Sequence, residues 1–191
     1  MVGADAAGTR GYDSPLRREQ ARRTHGGSLG RRAPAPEGSM GSMVVTRRRI
    51  QAAPDTVFSV ISDGWTFPSW VVGAIRIRAV EEGFPAPGTR LHHSVGIWPL
   101  MLQDHTEVTR CEPGKRLVLL ARAWPAGEAI VDIELEPDGD GTLVIMREDV
   151  VAGPGRLIPR PVRAAGLVVR NDETLRRLAF LAEQRTEPDN D

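Results

Sequence analysis

The chain has 191 residues, a formal net charge of zero from 25 basic and 25 acidic side chains, and one cysteine, Cys111. That length suits one domain with a substantial core, and the balanced charge gives no whole-molecule field aimed at nucleic acid or an anionic membrane. A lone cysteine excludes an intramolecular disulfide and fits a reducing cytoplasm, and no apolar run reaches the ~20 residues that a membrane-spanning helix needs.

Residues 1–42 are rich in Gly, Ala, Pro, Ser and Arg and nearly lack large apolar side chains, so they read as a disordered tail. A start at Met40 or Met43 is the alternative, leaving that tail untranslated. The pairs Arg17-Arg18, Arg22-Arg23 and Arg31-Arg32 lack the apolar stretch that twin-arginine export requires. From Met43 the texture changes. VVTRRRIQ is strand-like, with Val44, Thr46, Arg48 and Ile50 on one face and Val45, Arg47 and Arg49 on the other. Ala53-Pro54-Asp55 opens a helix with proline in its first turn, and WTFPSWVVGA reads as a second short helix or a turn.

Strand-like segments follow at 74–82, 89–97, 100–111, 115–124, 128–137 and 142–151, separated by turn signals. The Asp138-Gly139-Asp140-Gly141 run between the last two is a hairpin signal. From about Pro161 the chain reads as one long helix, with Val168, Leu175, Leu178 and Ala182 as its apolar stripe. The order predicts an α+β fold in which a curved antiparallel sheet, about seven strands counting the first, wraps around the C-terminal helix. The order places one folded domain at residues 43–185, with 186–191 as a disordered end.

TRRRIQAAPDTVFSVISD, WTFPSWVVGA, CEPGKRLVL, DGTLVIMRED and RNDETLRRLAFLAE resemble the polyketide cyclase/dehydrase and lipid-transport group of the START and birch-pollen-allergen-like superfamily. The resemblance covers roughly residues 43–185. It implies a helix-grip fold with a deep apolar cavity between sheet and helix. It does not imply one reaction, because that superfamily includes lipid carriers, aromatase/cyclases, hormone receptors and co-chaperones.

Several side chains could serve such a cavity. Arg48 shares the face of Ile50 and could meet a ligand carboxylate or phosphate, or lie along the sheet with its head in solvent. His93 is the inward member of the His92-His93 pair if Leu91 points inward, and His105 and Glu107 share a face on the next strand. A histidine beside a carboxylate suits general acid–base work, so His93, His105 and Glu148 are the catalytic candidates, against the plainer reading of local hydrogen bonding. Metal binding by His93, His105 and Glu107 lacks any H-x-x-x-H spacing, and neither a metal nor a cofactor is implied. Glu148 lies among Val144, Met146 and Val150 and needs a cation, for which Arg122, alternating with Val118, Leu120 and Trp124, is the candidate. Trp70, Trp98, Trp124, Met101 and Met146 supply adaptable apolar walls.

No G-x-S-x-G elbow, phosphate-binding G-x-x-x-x-G-K-[ST], dinucleotide G-x-G-x-x-G or zinc-type cysteine pairing is present. Three functions remain. The first is burial of a small hydrophobic ligand, lipid or polyketide-like, oriented by Arg48, Arg122, His93 or Glu148. The others are a cyclase or aromatase and a co-chaperone-like module that holds a partner's helix.

Overall fold

The computed structural model describes residues 43–97, 100–123 and 127–186, with side chains described outside 95–102 and 123–126. The expectations for residues 1–42 and 187–191 lie outside these residues. Within them the chain forms β1 (Val44–Ile50), α1 (Pro54–Ile61), a 3-10 turn (Gly64–Thr66) and α2 (Phe67–Trp70). Six further strands follow: β2 (Ala74–Val80), β3 (Arg90–Ile97), β4 (Leu100–Glu112), β5 (Arg116–Ala123), β6 (Gly127–Asp138) and β7 (Gly141–Ala152). A 3-10 turn (Pro154–Leu157) leads to α3 (Arg160–Gln184). This is the helix-grip α+β arrangement that the sequence predicts.

All seven strands join one antiparallel sheet in the order β1-β7-β6-β5-β4-β3-β2. Consecutive strands from β2 to β7 are neighbours, as hairpin connections require. The exception is the first link, because β1 and β2 occupy opposite edges. The chain must cross the full width of the sheet between them, and α1 and α2 make that crossing over one end. Proline lies in the first turn of α1, where its missing N–H is harmless, and Ser62 N–H closes the helix on Phe58 O at 2.9 Å. Gly139, at φ 63°, supplies the left-handed position in the two-residue β6–β7 turn.

The inner face of the sheet is apolar. Val131, Ile133 and Leu135 on β6 and Val144 and Met146 on β7 are buried against α1 and α3. On α3 the buried residues are Asn171, Thr174, Leu175, Leu178, Ala179 and Ala182. The structure corrects one member of the expected stripe. Val168 is 45% exposed although it lies two turns from Leu175 on the same side. The reason is length. At ~1.5 Å per residue the 25-residue α3 runs ~37 Å, whereas the seven-residue β1 beneath it runs ~23 Å. The first turns of α3 therefore overhang their cover, and none of residues 160–170 is buried.

Leu178 is fully buried and Val168 overhangs, so the two positions should respond differently to truncation. Leu178→Ala is expected to lower stability by about 2–5 kcal/mol. Val168→Ala should stay within about 0.5 kcal/mol of the parent chain. Urea denaturation of both variants checks this, and equal losses would contradict the overhang.

Candidate functional site

A cavity of about 110 Å³ lies between the inner sheet face, α2 and the first buried turn of α3. Helices α2 and α3 and strands β2 to β7 all contribute to its lining. From α2 come Phe67 and Trp70, whose rings meet edge to face with centroids 5.3 Å apart. Asp63 holds the approach to that helix, its Oδ1 accepting the Trp65 N–H at 3.0 Å. From β3 and β4 come His93 and Thr106, from β7 Met146, and from α3 Arg170 and Thr174. Thr174 Oγ1 accepts the Val72 N–H at 3.2 Å, which fixes the loop after α2 against the helix.

His93 is the most deeply buried titratable group of the lining. It is 4% exposed, its ring lies 6.1 Å from that of Phe67 in a stacked arrangement, and its Nε2 is 2.9 Å from Thr106 Oγ1. Its Nδ1 is buried without a partner. Burial pushes the imidazole below its ordinary value, and the carboxylate of Asp104, its cross-strand neighbour, opposes that shift more weakly. A neutral imidazole results. If Nε2 accepts from Thr106, then Nδ1 carries a hydrogen into the site; if Nε2 donates, Nδ1 is a base. The indole Nε1 of Trp70 is likewise buried and unpartnered, and it can only donate.

Glu148 is 1% exposed on β7, and the cation it meets is Arg170, whose Nη2 donates to Glu148 Oε2. Arg170 also reaches Asn171 Oδ1 at 3.3 Å. The expected Arg122–Glu148 pair is thus replaced. Arg122 is exposed at the border of the cavity, with its Nε 2.8 Å from Glu128 Oε1 on the adjacent strand. The cause is strand parity. Leu117 and Leu119 are the buried side chains of β5, so Val118, Leu120 and Arg122 take the outer face.

Arg48 does lie on the Ile50 face, but at the seam with α3 rather than in the cavity. Its Nη2 bonds Asp172 Oδ1 at 3.0 Å, and its Nε is buried without a partner. His105 and Glu107 share a face, and it is the outer one. The buried residues of β4 are Asp104, Thr106 and Val108, and His105 faces His92 with centroids 6.2 Å apart. Burial, then Arg122 and Arg90, lowers the His105 imidazole as well. His93 therefore cannot share a metal with His105 and Glu107, and no group of three potential ligands occurs among the described residues. Trp70 and Met146 line the cavity. Trp98, Trp124 and the Met101 side chain lie outside the described residues. The sequence reading missed Phe67, Asp104, Thr106 and Arg170. Val108 carried a signal for two of them, since an inward Val108 places Thr106 and Asp104 inward too.

Cys111 is half-buried, and its thiol is pushed up by burial and by Glu112, so it stays protonated and unreactive. No helix among the described residues is long and apolar enough to cross a membrane.

The arrangement of sheet, crossing helices and gripped helix recurs in solved structures. Protein NE0264 from Nitrosomonas europaea is 15% identical, with a TM-score of 0.60 over 80% of this chain and 100% of that one. The di-domain ARO/CYC StfQ from the steffimycin biosynthetic pathway is 15% identical, with a TM-score of 0.59 over 75% of this chain and 51% of that one. DynU16, from the dynemicin biosynthetic locus, is 21% identical, with a TM-score of 0.56 over 75% and 48%. At these identities the likeness is one of fold. No curated protein matches the sequence. The family described as polyketide cyclase / dehydrase and lipid transport matches residues 42–183. Since that single span takes in all seven strands, the helices that cross between the sheet edges and nearly all of α3, the chain belongs to the polyketide cyclase/dehydrase and lipid-transport family.

Proposed function

We propose that the cavity binds a small hydrophobic ligand, lipid or polyketide-like, and orients it through one oxygen acceptor. The observation that carries this reading is the pair of orphan atoms, Trp70 Nε1 and His93 Nδ1, on residues that line a mostly apolar chamber. A buried polar atom left unpaired costs about 1–3 kcal/mol, and a ligand carbonyl or hydroxyl would remove that penalty. The volume sets the size of what enters. An apolar cavity of ~150 Å³ accepts benzene, so about 110 Å³ seats a portion no larger than one small ring unless the walls give. Family membership supports the same reading, as do the biosynthetic settings named for StfQ and DynU16.

A cyclase-type activity is the second reading, and His93 favours it. A neutral imidazole with one nitrogen engaged by Thr106 and the other open can move a proton on a bound ketone or phenol. Asp104 beside it would steady the imidazolium that such a step creates. The co-chaperone reading fares worse, because a partner's helix needs a trough ~10 Å across and the chamber is far too small.

Native mass spectrometry of the purified chain, followed by denaturing extraction, tests the carrier reading. A discrete small molecule is the expected outcome. An apo mass, together with no thermal shift across lipids and polyketide-like compounds, would overturn it. Trp70→Phe should weaken the captured ligand by about tenfold, the value of one lost hydrogen bond, while the unliganded chain is no less stable.

His93 gives a separate check through pH. Its folded value lies below the unfolded 6.5, so protons favour the unfolded chain. Stability is full above pH 6.5, falls as the pH drops below it, and levels off beneath the folded value. Asp104 opposes this shift, while His105, Arg78 and His92 reinforce it. His93→Gln should flatten the loss between neutral and mildly acid pH in thermal melts. An unchanged slope would mean that the imidazole is not held neutral.

A further inference from the structure

The solvent side of a helix is ordinarily polar, and the second half of α3 follows that rule apart from Phe180, which is 58% exposed. There Glu173 accepts from Arg176 at 2.6 Å and from Arg177 at 2.7 Å. The overhanging first half does not. From Val151 to Arg170 the chain has four arginines, Arg156, Arg160, Arg163 and Arg170, and no acidic residue. Between those arginines lie exposed aliphatic side chains. Leu157 is 85% exposed, Val169 72% and Val162 63%, and Ile158 and Val168 are exposed as well. Val162 and Val169 stand two turns apart on the side of α3 that faces away from the core. Leu157 and Ile158 extend the patch from the bend that enters the helix.

Two of the four charges are already compensated. Arg163 is held by Asp149 at 3.3 Å and Arg170 by Glu148. Arg156 bonds a carbonyl oxygen, Val151 O, and Arg160 is exposed and makes no ion pair among the described residues.

We infer that this segment docks on an anionic lipid surface, with the aliphatic side chains entering the headgroup boundary and Arg156 and Arg160 meeting lipid phosphates. Charge decides among the occupants. A second copy of the chain would set the same uncompensated arginines against each other. Residues 1–42 carry Arg10, Arg17, Arg18, Arg22, Arg23, Arg31 and Arg32 against Asp5, Asp13, Glu19 and Glu37, so they add like charge and little apolar surface. An anionic bilayer supplies both the opposite charge and an apolar layer. Leu157, at 85%, is the most exposed large apolar side chain among the described residues, as insertion into a yielding surface requires. Arg170 ends the segment and lines the cavity, so the docked face adjoins the chamber. A role in loading that chamber rests on the cavity reading, whereas docking itself does not.

Flotation of the full chain with vesicles tests the inference. The chain should float with phosphatidylcholine mixed with phosphatidylglycerol, stay behind with phosphatidylcholine alone, and be released by high salt. Each arginine near such a surface contributes about fivefold in affinity, so Arg160→Gln should weaken binding about fivefold. Leu157→Asp combined with Val169→Asp should abolish flotation without moving the melting temperature, since both side chains are exposed. The inference is overturned if the parent chain does not float with the mixed vesicles, if it floats equally with neutral ones, or if the double variant floats like the parent. It is equally overturned if the patch captures an acidic protein while vesicles are ignored. Trp70→Phe, chosen to impair the cavity, should float like the parent. In the parent chain, flotation without any captured small molecule would sink only the cavity reading, and a captured small molecule without flotation would sink only this one.

Discussion

An ionised carboxylate buried on an apolar sheet face is tolerable only beside a cation, and Glu148 imposes that condition on the whole molecule. At 1% exposure it loses nearly all its water, a penalty of several kcal/mol that only a well-placed partner offsets. Arg170 is that partner, and it comes from α3 rather than from the sheet. The pair therefore ties helix to sheet beside the cavity. Apolar contact alone would not set the helix's position along its axis, because hydrophobic burial is non-directional. The Arg48–Asp172 bond and the Gln51 N–H on Glu183 Oε1, at 2.9 Å, continue the same seam along β1. Once α3 is fixed in register, Arg170 and Thr174 are the residues that must roof the chamber.

That register also explains why a chamber exists. Farther along α3, Leu175 and Leu178 fill the space above the sheet in one cluster with Ile50, Val57, Val60 and Ile61. One turn earlier the helix presents Asn171 and Thr174, which are shorter and polar. Less volume reaches the sheet there, and Trp70 and Phe67 close the space from the side instead. The orphan atoms Trp70 Nε1, His93 Nδ1 and Asn171 Nδ2 belong to this same stretch. Buried polar atoms without partners are rare in folded proteins, and these three fall where α3 leaves the core thin, while Thr46 Oγ1 and Arg48 Nε lie on β1.

Where the sequence was legible, a strand had one unambiguous apolar face. Ile50 fixed the parity of β1, and Val144 and Met146 fixed that of β7, so Thr46, Arg48 and Glu148 fall where alternation puts them. The Asp138–Gly141 run marked its hairpin because a two-residue turn needs a left-handed residue, and glycine was there. Legibility failed where both faces were apolar. In β5, Val118 and Leu120 compete with Leu117 and Leu119, and a one-residue choice sends Arg122 outward. It failed again where pairing is tertiary. Nothing local marks Arg170, 22 residues from Glu148, as its counter-ion. Helical periodicity gave the buried side of α3 but not where its cover ends, which depends on the length of β1.

Zero net charge sits beside a basic surface without contradiction, because the arginines are not compensated evenly. Several arginines of the sheet are matched across neighbouring strands. Arg116 holds Asp132 through two bonds of 2.9 and 2.7 Å, Arg147 meets Glu134 at 2.7 Å, and Arg90 meets Glu107 at 3.0 Å. Such pairs leave little field beyond the sheet. Arginines without a matching strand neighbour keep their field, and residues 153–170, past the last strand, carry such side chains. Salt screens charges beyond ~10 Å, so an approaching surface senses the nearest turn or two of chain and not the molecular total. A sum over the whole sequence averages away the very asymmetry that a partner would read.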